Sequence, residues 1–174
     1  LEAFQLALDK GADGIETDIR LHNDTLVLQH DPITTDPSHP VSLEELLDWA
    51  PDDFLLNLEI KDHKVGPLLV PILKQYKKRY LITSFWHNIT FKVARASNVD
   101  CGLLMPIRPI FMQTLLQLLP MTLTYIVWDY NIFDRHLTTQ LDKYKHMVYN
   151  CGSQSVDNID GIISNNLDLH ICAS

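Results

Sequence analysis

Hydrophobic and polar positions alternate along the chain in two rhythms. LEAFQLAL, residues 1–8, carries apolar positions at 1, 4 and 8 with a filled face between them, the spacing of a helix, and Gly11 supplies its C-cap. DGIETDI, residues 13–19, switches to period two and reads as a strand; LVLQH, residues 26–30, reads as a second, with His22-Asn23-Asp24 as the turn between them. Three prolines between 31 and 40 predict a loop. Ser42, with Glu45 three residues on, predicts a capping box opening the short helix SLEELLDW. FLLNLEIK, 54–61, is a third strand, followed by a helix over 67–76. Strand and helix signals then alternate: strands at 80–85, 101–105, 124–130, 146–150 and 160–166, with helices near 88–96, 110–119 and 133–144.

This alternation predicts an α/β fold with a parallel sheet and helices outside it. The strands are nearly continuous in apolar character, as strands covered on both faces should be. Eight strands are predicted, one of the early ones as a hairpin partner rather than a barrel stave. A doubly wound open sheet is the rival, but such sheets usually carry a glycine-rich phosphate loop; six glycines and no such fingerprint speak against it. Residues 1–174 read as a single domain without linker or repeat. A complete eight-fold barrel typically takes about 250 residues, so 174 residues are expected to make an incomplete one.

The formal net charge of −8 argues against a nucleic-acid-binding surface. Lys74, Lys77, Lys78 and Arg79 read as a solvated helix end. No run of about 18 apolar residues exists, so no membrane span is expected. Three widely spaced cysteines, Cys101, Cys151 and Cys172, give neither a disulfide framework nor a zinc motif, and a reducing, cytoplasmic setting is the default reading.

The chemistry gathers at strand ends: Glu16 and Asp18, His30 and Asp31, Glu59 and Lys61, Ser84, Asp129, Asn150 and Asn165. In a closed α/β barrel all these ends meet at one mouth, where active sites are built. Glu16 and Asp18 are two apart and point the same way. Two carboxylates facing one interior repel, and a bound cation resolves the conflict; Glu59 supplies a third oxygen. Carboxylates without cysteine or clustered histidine suit Mg²⁺ or Ca²⁺. The plainer alternative pairs Glu16 or Asp18 with Arg20 or Lys61. His30 is the natural proton carrier near neutral pH, or else a structural histidine. Lys61 is suited to hold a phosphate, or to pair with Glu59 on the same strand face.

Residues 1–32, LEAFQLALDKGADGIETDIRLHNDTLVLQHDP, resemble the signature of glycerophosphodiester phosphodiesterases, in which a helix leads into a strand ending Glu-x-Asp and a second strand ends in His-Asp. LNLEIK at 56–61, LITSF at 81–85 and DGIISNN at 160–166 resemble that family's later strands in the right order. The resemblance implies a TIM-type barrel that hydrolyses a small-molecule glycerophosphodiester to sn-glycerol 3-phosphate and an alcohol, in lipid and glycerol metabolism. It makes Glu16, Asp18 and Glu59 the metal ligands, His30 one of two catalytic histidines and Lys61 the phosphate contact. Tyr149 stands near the place of a family tryptophan at the substrate, and Trp128 is either a pocket wall or a core aromatic. The family opens with a His-Arg-Gly strand and a further glutamate, which this chain does not show. The expectation is therefore a barrel without its first strand and with impaired activity. The alternatives are a degenerate barrel that binds phosphate or a partner, and a phospholipid lyase like sphingomyelinase D, for which IRPIF at 107–111 is the candidate membrane loop.

Overall fold

The computed structural model describes residues 1–35, 39–106, 123–154 and 156–168, and of Leu137 the backbone alone. Helix α1 (Glu2–Asp9) ends before Gly11, whose φ of +83° is left-handed backbone that glycine adopts freely. Strand β1 (Gly14–His22) turns through Asn23 and Asp24, both at positive φ, into β2 (Thr25–Leu28). That geometry matches the twist of an antiparallel hairpin, and β1 and β2 pair antiparallel from Ile19↔Leu28 to His22↔Thr25. The hairpin alternative for an early strand thus holds for β2.

Helix α2 (Leu43–Trp49) has the expected capping box: the Glu45 amide donates to Ser42 Oγ at 3.2 Å, and the Ser42 amide donates to the Glu45 carboxylate at 2.7 Å. There follow β3 (Leu55–Ile60), α3 (Val65–Gln75), β4 (Arg79–Ser84), α4 (His87–Ser97), β5 (Asp100–Met105), β6 (Leu123–Asp129), a short 3₁₀ turn (Tyr130–Ile132), α5 (Arg135–Gln140), β7 (Lys145–Tyr149) and β8 (Gly161–Ile163). The helix expected at 133–144 is only six residues long: Asp134 caps its start by accepting from the His136 amide, and it ends at Gln140. The helix expected at 110–119 and the segment 107–111 lie outside the described residues.

The strands form one curled sheet in the order β2-β1-β3-β4-β5-β6-β7-β8, with every pair from β1–β3 onward parallel. Seven parallel strands run in sequence, one short of a closed eight-strand barrel. Strand parity sorts the side chains. Ile15, Ile19, Leu56, Leu58, Ile60, Tyr80 and Ile82 pack outward against the helices, and Cys101, Leu103, Met105, Ile126, Trp128 and Val148 do the same farther round. The opposite parity makes a small inner apolar cluster of Leu81, Leu104, Tyr125, Val127 and Met147. Outer burial holds the sheet curved; the inner face is left to build a site. Among the described residues no helix is long and apolar enough to cross a membrane.

Candidate active site

Inside the curl lies a cavity of about 1490 Å³ lined by Glu16, Asp18, His30, Asn57, Glu59, Lys61, Phe85 and Tyr149 among others. The positions follow from register. Asp18 stands opposite Glu59 and Glu16 opposite Asn57 on the parallel β1–β3 pair, so period-two alternation sends all four inward together. Oxygens of Glu16, Asp18 and Glu59 lie within 4.8 Å of one another.

Lys61, one residue past β3, reaches back between two of them, with Nζ 3.0 Å from Asp18 Oδ1 and 2.5 Å from Glu59 Oε1. Of the two alternatives read from sequence for Lys61, the pairing with Glu59 is the one present, and the same ammonium also pairs with Asp18. Arg20 does not pair with the carboxylates. Its guanidinium donates to the His30 carbonyl at 2.8 and 3.0 Å and to the Lys61 carbonyl at 3.5 Å, pinning the end of β2 to the end of β3. The backbone that carries His30 is thereby fixed beside Lys61. The His30 ring itself is open to solvent at the rim and pairs through Nδ1 with Asp31 at 2.9 Å.

One ammonium among three carboxylates leaves negative charge uncompensated. Burial, followed by the charges of Asp18 and Glu59, pushes the Glu16 carboxyl up to about 8. Burial likewise raises Glu59 against the pull of Lys61. For Lys61, burial works downward, but its contacts with Glu59 and Asp18 outweigh it and the ammonium is held above its ordinary range. Tyr149, inward from β7, is pushed up to about 12 by burial and by Asp129 and Glu59, so it stays a phenol and a donor.

The donor set fits a hard divalent cation. Three carboxylates converge without sulfur or ring nitrogen. Oxygens sharing one ion lie at most about twice the metal–oxygen distance apart, about 4.2 Å for Mg²⁺ and about 5 Å for Ca²⁺; a separation of up to 4.8 Å falls within the reach of Ca²⁺ and asks a small inward movement for Mg²⁺. The raised Glu16 carboxyl marks the place where positive charge is wanted.

Trp128 needs correcting. It does not line the cavity: alternation along β6 sends Val127 inward and Trp128 outward, where the indole is fully buried, stacks on His146 and donates through Nε1 to His146 Nδ1 at 3.0 Å. It is the core aromatic of the two readings. Two polar residues that the strand-end pattern passed over, Asn57 and Thr83, line the cavity deep inside and are joined by a 2.8 Å hydrogen bond from Thr83 Oγ1 to Asn57 Oδ1. Asn57 was findable, since it lies two residues before Glu59 on the same face. Asp129, Asn150 and Asn131 form a satisfied cluster at the end of β6, with Asp129 accepting from both amides.

Comparison with solved structures places this fold. The glycerophosphodiester phosphodiesterase of Thermotoga maritima superposes with a TM-score of 0.76 over 96% of this chain and 88% of its own, at 19% identity. A phosphodiesterase of Oleispira antarctica, solved with the product sn-glycerol-3-phosphate, superposes with a TM-score of 0.73 over 93% of this chain and 85% of its own, at 18% identity. No family sequence model matches the chain, and no curated protein sequence matches it. The chain therefore has the barrel fold of these phosphodiesterases, a likeness carried by structure.

Proposed function

We propose that the protein is a divalent-cation-dependent phosphodiesterase that hydrolyses glycerophosphodiesters to sn-glycerol 3-phosphate and an alcohol. The observation that carries this reading is the convergence of Glu16, Asp18, Glu59 and Lys61 at the carboxyl ends of β1 and β3, on a fold shared with such enzymes. Glu16, Asp18 and Glu59 hold the cation, which when bound withdraws charge from a phosphoryl oxygen. Lys61 adds a fixed positive charge beside the phosphate, strengthened by the low-dielectric wall around it. Tyr149, kept protonated, donates to an oxygen of the ester from the far side of the cavity. His30, exposed at the rim and held by Asp31, exchanges a proton with the attacking water or the leaving alcohol.

Diester hydrolysis needs a proton removed from water and a proton given to the leaving group. Among the described residues His30 is the histidine that lines the cavity, so one of these two proton transfers is assigned to it. The test is release of glycerol phosphate from glycerophosphocholine with Mg²⁺ or Ca²⁺, for these 174 residues and for a version extended upstream. The extended protein should turn over in a cation-dependent way, and His30→Ala should lower its rate by about 10²–10⁴-fold, the usual worth of a positioned acid–base group. Equal rates in the short and extended forms, or rates indifferent to chelator, would overturn the role assignment.

A further inference from the structure

Resting on the cation reading above, a second layer of the site emerges from two groups that each lack what the other offers. Asn57 is 2% exposed, and its Nδ2 has no hydrogen-bond partner among the described residues. A buried donor left so is destabilising, a cost a fold seldom carries without a use. The Thr83 hydroxyl, itself fully buried, donates to Asn57 Oδ1, which leaves Nδ2 on the other side of the amide. Directly across the β1–β3 ladder stands Glu16, also on the cavity wall. Neighbouring strands run about 4.8 Å apart, within reach of a one-methylene amide and a two-methylene carboxylate. No hydrogen bond to the Glu16 carboxylate occurs among the described residues, whereas carboxylates on metals are characteristically held by a second donor.

We propose that Asn57 is a positioning residue for Glu16. With Glu16 ionised, Asn57 Nδ2 donates to one carboxylate oxygen and turns the other toward Asp18 and Glu59, where the cation is held. Thr83 anchors the amide through its hydrogen bond to Oδ1. Without its hydroxyl the amide is free to flip and present Oδ1, a repelling acceptor, to Glu16. The pair Thr83–Asn57 thus acts on cation binding through Glu16 and touches neither ion nor phosphate.

Calorimetric titration of the 174-residue protein with Ca²⁺ and with Mg²⁺, without substrate, tests this. Asn57→Leu should weaken binding by about 10–100-fold, the usual effect of losing such a partner, and the isosteric Thr83→Val should weaken it by a smaller factor in the same direction. In a Glu16→Gln background, Asn57→Leu should cause no further loss. Melting of the cation-free double variant Asn57→Leu/Thr83→Val should be no lower than wild type, because both members of the buried polar pair are then removed together; a structural role would lower it. Wild-type affinity in Asn57→Leu, or losses that simply add to those of Glu16→Gln, would overturn the positioning role while leaving the cation site standing. If Asn57→Leu does not fold, Thr83→Val and its double variant with Glu16→Gln decide the matter by the same criteria. Absence of cation binding in the wild type would remove both this role and the metal centre proposed above.

Discussion

At the scale of single residues, Glu16 is the most informative side chain. Its native carboxyl titrates near 8 against an ordinary 4.5. The folded protein therefore holds a proton that the unfolded chain has already released, and the difference fixes a sign: between about pH 4.5 and 8 the cation-free protein loses stability as pH rises. Denaturant unfolding in the presence of chelator, at intervals across that window, should show the decline. Glu16→Gln should flatten most of it, leaving a residual slope from Glu59, which is raised for the same reason of burial. Equal slopes in the two proteins would show that Glu16 is better solvated than its place on the cavity wall implies. The carboxylates and Lys61 were legible in the sequence because charge at a strand end has few uses. Thr83 was not, because a hydroxyl within an apolar strand has many satisfied fates and only its partner reveals its direction. Trp128 left two readings open, pocket wall and core aromatic, and the parity of β6, with Val127 inward, decides for the core.

At the scale of elements, the site depends on how closely β1 lies against β3. Gly14 opens β1, and a Cβ there would sit 2.3 Å from the Leu55 carbonyl oxygen and 2.6 Å from Leu55 Cβ, a clash with backbone that no rotamer relieves. Gly14→Ala must push β1 away from β3, and the displacement carries Glu16 and Asp18 away from Glu59. The expected cost is about 1–3 kcal/mol from overpacking, together with weaker cation binding. Gly11→Ala is the matched comparison: its Cβ meets nothing within 4 Å, and the change costs only the left-handed backbone, about 1–2 kcal/mol. Melting and cation titration of both variants separate the cases, since Gly11→Ala should leave cation affinity intact and Gly14→Ala should not. Element order, the hairpin and the capping box of α2 were readable from sequence because each rests on contacts between residues near in the chain. The true length of α5 was not, because most of the difference lies at its C-terminal end, where the helix stops at Gln140 with no Gly or Pro after it to mark the stop.

At the scale of the whole molecule, the curled sheet has two unequal edges. Among the described residues, β3, β4, β5 and β6 are hydrogen-bonded on both sides, whereas β8 is three residues long and pairs with β7 alone, and β2 is a four-residue hairpin arm. Exposed edges open more readily than central strands. Amide hydrogen exchange should therefore be slowest in β3 to β6 and fastest in β2 and β8. A bound cation should alter this pattern in one place only. Its proposed ligands stand on β1 and β3, adjacent strands, so it should clamp an existing seam and not bridge the sheet's two edges. Added Mg²⁺ or Ca²⁺ should slow exchange across residues 14–20 and 55–61 and leave 161–163 unchanged. Protection appearing at β8 instead would mean that the ion draws ligands from the opposite edge, and the three-carboxylate site would have to be redrawn around residues of that strand.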